Sequence, residues 1–309
     1  MKRFIPLIFC IAINLLTTNV KAQQDAMYTQ YMFNTLAINP AYAGSRNVLS
    51  ATTLYRNQWT GIEGAPKTGT LSIDAPLWDK RIGLGLQFIT DKLGVEQTNG
   101  AAISGAYRIR MEKGSLSFGI QGNVQQYKRN LTNVPLESIP AYDPAFAENV
   151  DKILFNFGTG VYYNSDRFYV GLSAQDLLPN QLNQSSDGTT LVGKQEVHMF
   201  LASGYVFPVS EDLDLKPSFL IKGVKGAPLE ADLNATLWIK QALGVGIQYR
   251  TSADISALIE IQATENVRIG YSYDHSLTAL QGFNSGSHEI MLRYEFGFSR
   301  GKYLSPRFF

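Results

Sequence analysis

From Leu229 to Ile239 the chain alternates residue by residue, reading Leu-Glu-Ala-Asp-Leu-Asn-Ala-Thr-Leu-Trp-Ile. After a tight break at Lys240-Gln241 the pattern resumes, with Leu243, Val245, Ile247 and Tyr249 on one face and Gly244, Gly246, Gln248 and Arg250 on the other. A period of two is the signature of an extended strand, whose successive side chains point to opposite faces. An apolar face sustained over roughly ten residues is about what a tilted strand needs to cross a hydrocarbon layer, whereas strands of soluble proteins run roughly five to six residues. The alternation therefore predicts a membrane β-barrel.

About 14 such stretches, each bounded by turn residues, follow one another at 47–59, 67–75, 81–90, 97–110, 115–127, 153–163, 167–175, 196–207, 213–222, 228–239, 242–250, 254–262, 267–274 and 288–298. Their lipid-facing sets include Ile82, Leu84, Leu86 and Phe88, then Leu116, Phe118 and Ile120, then Phe168, Val170 and Leu172, and finally Ile290, Leu292, Tyr294 and Phe296. Connection length sorts by parity. With the chain entering from the periplasm, even-numbered connections are short, as at Glu112-Lys113-Gly114 and Lys240-Gln241, while three odd-numbered ones are long, at 130–152, 176–195 and 275–287. Outer-membrane barrels have short periplasmic turns and longer external loops. The expected fold is an all-β, transmembrane antiparallel β-barrel of about 14 strands spanning 47–298.

Two segments fall outside that barrel, an N-terminal periplasmic or lumen segment at 23–46 and a basic, aromatic tail at 299–309. In the first, Met27, Tyr28, Tyr31, Met32 and Leu36 recur at spacings of three and four. This predicts a short helix ending before Asn39-Pro40, because proline disfavours helical geometry in its predecessor. The aromatic density of Tyr28, Tyr31, Phe33 and Tyr42 predicts an ordered segment, either a lumen plug or a periplasmic docking helix, since solvated leaders are poor in aromatics.

Residues 1–22 have the form of a cleaved secretory signal: Lys2 and Arg3, an apolar run from Phe4 to Leu16, and a small residue at Ala22. The run is shorter than the roughly 20 residues of a spanning helix. Cys10, the only cysteine, lies within it, so the mature chain is expected to have neither disulfides nor thiolate chemistry. No later stretch approaches about 18 consecutive apolar residues, which excludes a helical membrane protein. The 27 Gly, 16 Tyr and 17 Phe suit a barrel with aromatic girdles. A net charge of +1 gives no support for nucleic-acid binding.

Candidate chemistry is sparse. Asp274-His275-Ser276 holds the residue types of a catalytic triad, but neighbours on a strand point in alternating directions and cannot relay a proton. Gly83-Leu-Gly85 and Gly244-Val-Gly246 open no helix and so are not nucleotide loops; they read as small inward residues that relieve crowding in the lumen. His198 and His288 have no second ligand at metal spacing. The expectation is no catalytic residue, no cofactor and no metal. The inward charges Lys216, Lys222, Glu230, Asp232, Arg250, Asp254, Glu260, Arg268, Glu289, Arg293 and Glu295 are of mixed sign. Mixed signs predict cross-strand pairs of modest strength in a wet lumen, not the single-sign ring of a selective channel.

Several motifs carry a family resemblance. They are Asp25-Ala-Met-Tyr-Thr-Gln-Tyr-Met-Phe-Asn34, Leu36-Ala-Ile-Asn-Pro-Ala-Tyr-Ala-Gly44, Tyr55-Arg-Asn-Gln-Trp59, Ser173-Ala-Gln-Asp-Leu-Leu-Pro179, Asn284-Ser-Gly-Ser-His-Glu-Ile-Met-Leu292 and Ser305-Pro-Arg-Phe-Phe309. Together they resemble the PorP/SprF family of Bacteroidota outer-membrane proteins, associated with type IX secretion and gliding motility. The resemblance implies a non-enzymatic outer-membrane component working with other parts of that system. It also implies one partner, typically an adhesin-like secreted surface protein with a type IX C-terminal signal, whose export or surface retention the barrel assists. The alternative reading is a general diffusion porin for small solutes. For a partner, the expected contacts are loop residues Tyr142, Phe146, Leu177, Leu178, Leu280 and Phe283, with Pro135, Pro140, Pro144 and Pro179 limiting the ordering entropy.

Overall fold

The computed structural model describes residues 28–77, 79–133, 148–182 and 193–296. The signal segment, Tyr142, Phe146 and the tail 299–309 lie outside the described residues.

Fourteen antiparallel strands form the wall: β1 Leu49–Asn57, β2 Lys67–Leu77, β3 Ile82–Leu93, β4 Glu96–Met111, β5 Gly114–Arg129, β6 Val150–Asn164 and β7 Phe168–Gln175. They continue with β8 His198–Tyr205, extended past Val206 as Phe207–Ser210, then β9 Leu213–Val224, β10 Glu230–Ile239, β11 Leu243–Arg250, β12 Asp254–Gln262, β13 Val267–Ser276 and β14 Ser287–Phe296. Each strand pairs with its neighbours in sequence. β1 also pairs with β14, from Leu49↔Phe296 to Asn57↔His288, and this seam closes the sheet into a barrel. Closure removes every sheet edge, the condition for putting strands in hydrocarbon.

The alternation sorts as lipid demands. Leu233 and Ile120 face outward at 54% and 72% exposure, while their neighbours Asp232, Asn234 and Gln121 are buried inside. Charge on this outer face is costly in a depth-dependent way. Leu233→Arg, near mid-strand, should therefore cost about 2–4 kcal/mol in urea unfolding from lipid vesicles, and Leu229→Arg, just before the start of β10, only about 0–1. Equal costs at the two positions would show that the band does not face lipid.

At one end the connections are short, at 78–81, 112–113, 165–167, 211–212, 240–242 and 263–266. The longest connections, 130–149 and 176–197, lie at the other end, together with 58–66 and 277–286. This long-loop end also has tight turns at 94–95 and 251–253, so loop length is asymmetric rather than strictly sorted. Lys240 and Gln241 both adopt left-handed backbone, with φ of 51° and 55°, the handedness that matches the twist of a tight hairpin. β4 and β5, at 16 residues each, lift the wall on one side of the long-loop end.

The segment before β1 is not the single short helix that its spacing predicts. It consists of a 3-10 turn at Tyr31–Phe33, one α-turn (α1) at Thr35–Ile38 and a second 3-10 turn at Pro40–Tyr42. Helical geometry does stop at Ile38, ahead of Asn39-Pro40. The break at Asn34 has a tertiary cause, because the wall bonds this side chain: Asn34 Nδ2 donates to Thr70 Oγ1 and Asn34 Oδ1 accepts from Ser72 Oγ. The segment lies in the lumen and supplies half of the main apolar cluster, with Tyr31, Met32, Phe33, Leu36, Ile38, Ala41, Tyr42 and Ala43 packed with wall residues that include Tyr162, Tyr169, Phe200, Leu220 and Met291.

Candidate functional site

The inward face of the wall is built around this plug. At the short-turn end, Arg46 bridges to Glu295 at 2.5 Å and the Gly44 amide donates to Asp74 Oδ2 at 2.8 Å. Further up, the Asn39 amide spans to the Val161 carbonyl at 3.0 Å, and Asn39 Oδ1 accepts from the Ala41 amide at 2.9 Å. Ser173 Oγ and Gln175 Nε2 donate to the Ile38 and Ala37 carbonyls. At the long-loop end, the Thr29 and Gln30 amides donate to the two oxygens of Glu289 at 2.9 and 2.7 Å, and Arg250 donates to the Tyr28 carbonyl at 3.2 Å. Read in chain order, the plug descends from the long-loop end to the short-turn end.

Glycine makes room for it. A Cβ on Gly83 would lie 1.9 Å from the Ala43 carbonyl oxygen, and one on Gly119 would lie 2.2 Å from the Ala41 amide nitrogen. Plug backbone thus touches wall backbone, an approach that only glycine permits. The Asn-Pro-Ala-Tyr-Ala-Gly motif at 39–44 is the plug's side of these contacts. Asn39 ties two strands, Pro40 starts the 3-10 turn, Tyr42 packs edge-on against Tyr162 at 5.4 Å, and the Ala43 carbonyl also accepts from Arg108.

The inward charges gather round the same segment. Arg56 Nη1 lies 2.6 Å from Asp274, 3.2 Å from Glu289 and 2.8 Å from Thr29 Oγ1, with all three charged side chains buried. Arg250 lies 2.7 Å from Asp232 and 3.4 Å from Asp254. The Phe33 ring sits among Lys216, Arg268 and Arg293, at 5.8, 6.0 and 5.5 Å, and its carbonyl accepts from Arg293. The expectation of modest pairs in a wet lumen is corrected here. These side chains are buried against the plug, where charges are screened less than in an open lumen. Burial also pushes the Tyr31 phenol well above its ordinary range, so it remains a neutral hydroxyl at hydrogen-bond distance from Ser218 Oγ.

Above the plug is a cavity of about 450 Å3 that opens at the long-loop end. Its floor is Tyr28, Tyr31, Ala37 and Ile38, and its walls are the upper parts of β3 to β8. Its lining combines residues of three motifs quoted above, Tyr28 and Tyr31, Ala37 and Ile38, and Gln175 and Asp176, with residues of the strands and of the 176–197 connection that no motif marks.

The triad-like residues separate, since Asp274 and Ser276 point inward while His275 is exposed. His198 stands 3.7 Å from Asp176, and Tyr271 hydroxyl meets His288 Nδ1 at 2.7 Å. Among the described residues no group of three or more His, Cys, Asp or Glu is placed to hold a metal. Of the loop anchors, Leu177 and Leu178 are each 41% exposed, Phe283 is 75% exposed and Leu280 is half-buried. They do not form one patch in the described structure. Leu177 and Leu178 follow β7, while Leu280 and Phe283 lie in or beside a 3-10 turn, Ala279–Gly282, between β13 and β14.

Comparison with known proteins decides the family. The profile described as type IX secretion system membrane protein PorP/SprF matches residues 20–294. The chain belongs to the PorP/SprF family. No curated protein matches it. Among solved structures, the Acinetobacter baumannii outer membrane protein Omp33 is similar at 8% identity and a TM-score of 0.48, covering 81% of this chain and 98% of its own. A Pseudomonas aeruginosa FadL homologue gives 12% identity and a TM-score of 0.48, covering 84% and 93%. The KdgM porin gives 10% identity and a TM-score of 0.41, covering 80% and 99%. As a PorP/SprF barrel, the protein is a type IX secretion component of the outer membrane. The family motifs quoted above map largely onto the plug and the wall residues that hold it.

Proposed function

We propose that this PorP/SprF barrel is a non-enzymatic partner protein that assists the export or surface retention of one secreted surface protein. In this reading the short turns lie in the periplasm and the long-loop end faces outward. The observation that carries it is the filled lumen. A wall that devotes its inward glycines and charges to holding its own lead segment is poorly suited to solute flux, which weighs against a diffusion porin. What such a barrel does offer is a rigid frame for loops, the usual place for binding residues.

The test is to identify what co-purifies from native membranes, then to shorten the loops at 130–152, 176–195 and 275–287 and measure surface protein retained on cells. Retention should fall while the barrel still shows heat-modifiable migration. Single substitutions refine this, since aromatic anchors commonly dominate binding energy: Phe283→Ala and Tyr142→Ala should each cost about 1–3 kcal/mol of partner affinity in a pull-down titration. Unchanged retention after all three loops are shortened would remove them from the mechanism.

A further inference from the structure

A second pocket lies outside the lumen, under the connection 58–66. Its roof is fixed on both flanks: the Thr60 amide donates to the Gly286 carbonyl at 2.8 Å, the Ser285 amide donates to the Thr60 carbonyl at 2.7 Å, and the Gly94 amide donates to the Gly64 carbonyl at 2.8 Å. The space enclosed is about 360 Å3, and its lining includes Asn57, Trp59, Glu63, Lys67, Lys92 and Gly94. Trp59 closes the motif that begins at Tyr55, and it takes left-handed backbone at φ 49°, uncommon for so bulky a residue. Its half-buried indole makes no hydrogen bond or ring contact among the described residues.

Lys67 and Lys92 stand directly opposite each other on β2 and β3. Like charges in that relation repel. Both side chains are exposed, and among the described residues neither ammonium group has a hydrogen bond or an ion pair. They share the outward parity of the exposed pair Leu71 and Phe88, four residues nearer mid-strand, so they cap the lipid-facing strip at the long-loop end. Tyr55 on the adjoining β1 is 52% exposed and pairs with Gly69, two residues below Lys67. An outward tyrosine at that level belongs to an interfacial girdle, which puts the two lysines at the height of the headgroups.

From the opposed lysines, the unpartnered indole and the preformed pocket between them, we propose that this site holds the phosphorylated sugar headgroup of an outer-leaflet glycolipid. A phosphate set between the two ammonium groups relieves their repulsion. The indole offers an apolar face to a sugar ring and one N–H donor to its oxygens. The strip of Leu71 and Phe88 below takes the acyl chains, a gain that a soluble anion would forgo. Glu63, which also lines the pocket, opposes the phosphate. The inference rests on the outward orientation of the long-loop end proposed above and requires no protein partner.

The experiment titrates the full barrel, purified in a detergent without sugar headgroups, and counts bound ligand by native mass spectrometry. Four probes are used: lipid A, lipid A stripped of its phosphates, phosphatidylglycerol and glucose 1-phosphate. Lipid A should bind at least about tenfold more tightly than each of the others. Lys67→Gln and Lys92→Gln should each weaken it about fivefold while heat-modifiable migration stays unchanged. Trp59→Leu should narrow the gap between lipid A and phosphatidylglycerol. Glu63→Gln should tighten lipid A binding, a gain that damage to the fold could not produce. Equal binding of the dephosphorylated lipid, or no effect of the lysine substitutions, would overturn the site. Phosphatidylglycerol binding as tightly as lipid A would overturn the sugar assignment, and glucose 1-phosphate doing so would overturn the lipid one. Because the titration involves neither cells nor partner, its failure would leave the retention reading standing. A tag at Lys113 found on the surface of intact cells would instead invert the barrel and overturn the outer-leaflet assignment, even with lipid A bound in detergent.

Discussion

Gly83→Val and Gly119→Val should each convert a non-conducting barrel into a conducting one. The added Cβ atoms would fall 1.9 Å from the Ala43 carbonyl and 2.2 Å from the Ala41 amide, and backbone on both sides of the contact cannot shift by the distance required. Valine suits a strand. The wall can therefore keep its pairing while the plug is expelled. Barrels of about 8 strands fill their own interior and those of 16–18 leave an aqueous channel, so an unplugged wall of fourteen strands lies towards the open end of that range. Planar-bilayer recording should find the natural protein silent and the two variants conducting, with deletion of residues 28–46 as an independent route to the open state. A natural protein that conducts as well as the deletion would mean that the plug is no seal.

Arg56→Ala should be among the most destabilising single substitutions in the wall. One guanidinium nitrogen serves Asp274, Glu289 and Thr29, and its removal leaves two buried carboxylates facing each other without a counter-charge. Breaking a buried ion pair by removing one partner costs about 3–5 kcal/mol, most of it the penalty of the charge left behind. Urea unfolding in lipid vesicles should show that loss. Neutralising the whole group, with Arg56→Met, Asp274→Asn and Glu289→Gln together, should recover much of it. If Arg56→Ala costs no more than an exposed substitution, water reaches this site and the plug does not exclude it.

The wall was legible in the sequence because lipid outside and a polar lining inside impose a period of two on every strand. β12 runs over Asp254–Gln262, as the alternation reads it, and the neighbouring strands differ only at their ends. The interruption of β8 at Val206 was not legible, because it comes from pairing, with Val206 donating to the Arg167 carbonyl and a register shift against β9. The plug was half legible. Its aromatic content signals order, but spacings of three and four describe a free helix, and here Asn34 and Asn39 are bonded by wall residues far away in sequence. Mixed charge was visible too. That Arg56, inside the Tyr-Arg-Asn-Gln-Trp motif, is a hub, and that Asp74 and Arg108 hold the plug, depends on contacts no local pattern encodes. The pocket under the 58–66 connection is the extreme case, since Lys67 and Lys92 lie on separate strands and only the sheet register sets them side by side.

The hydrogen bonds of the lead segment also set the timetable of folding. Thr29 bonds Glu289 and Phe33 bonds Arg293, each across 260 positions, and Arg46 bonds Glu295 across 249. Contacts of such sequence separation come late, because the intervening chain must be ordered before they can form. The β1–β14 seam spans the same interval, with Arg56 opposite Glu289, so closing the ring and making these long-range plug contacts form one terminal step. A chain that stops before Ser287 lacks both at once. Having neither a sealed edge nor the plug contacts made by the last strand, a fragment ending there is left with exposed strand hydrogen bonds and is a substrate for aggregation or proteolysis, whereas the complete chain locks from both ends together.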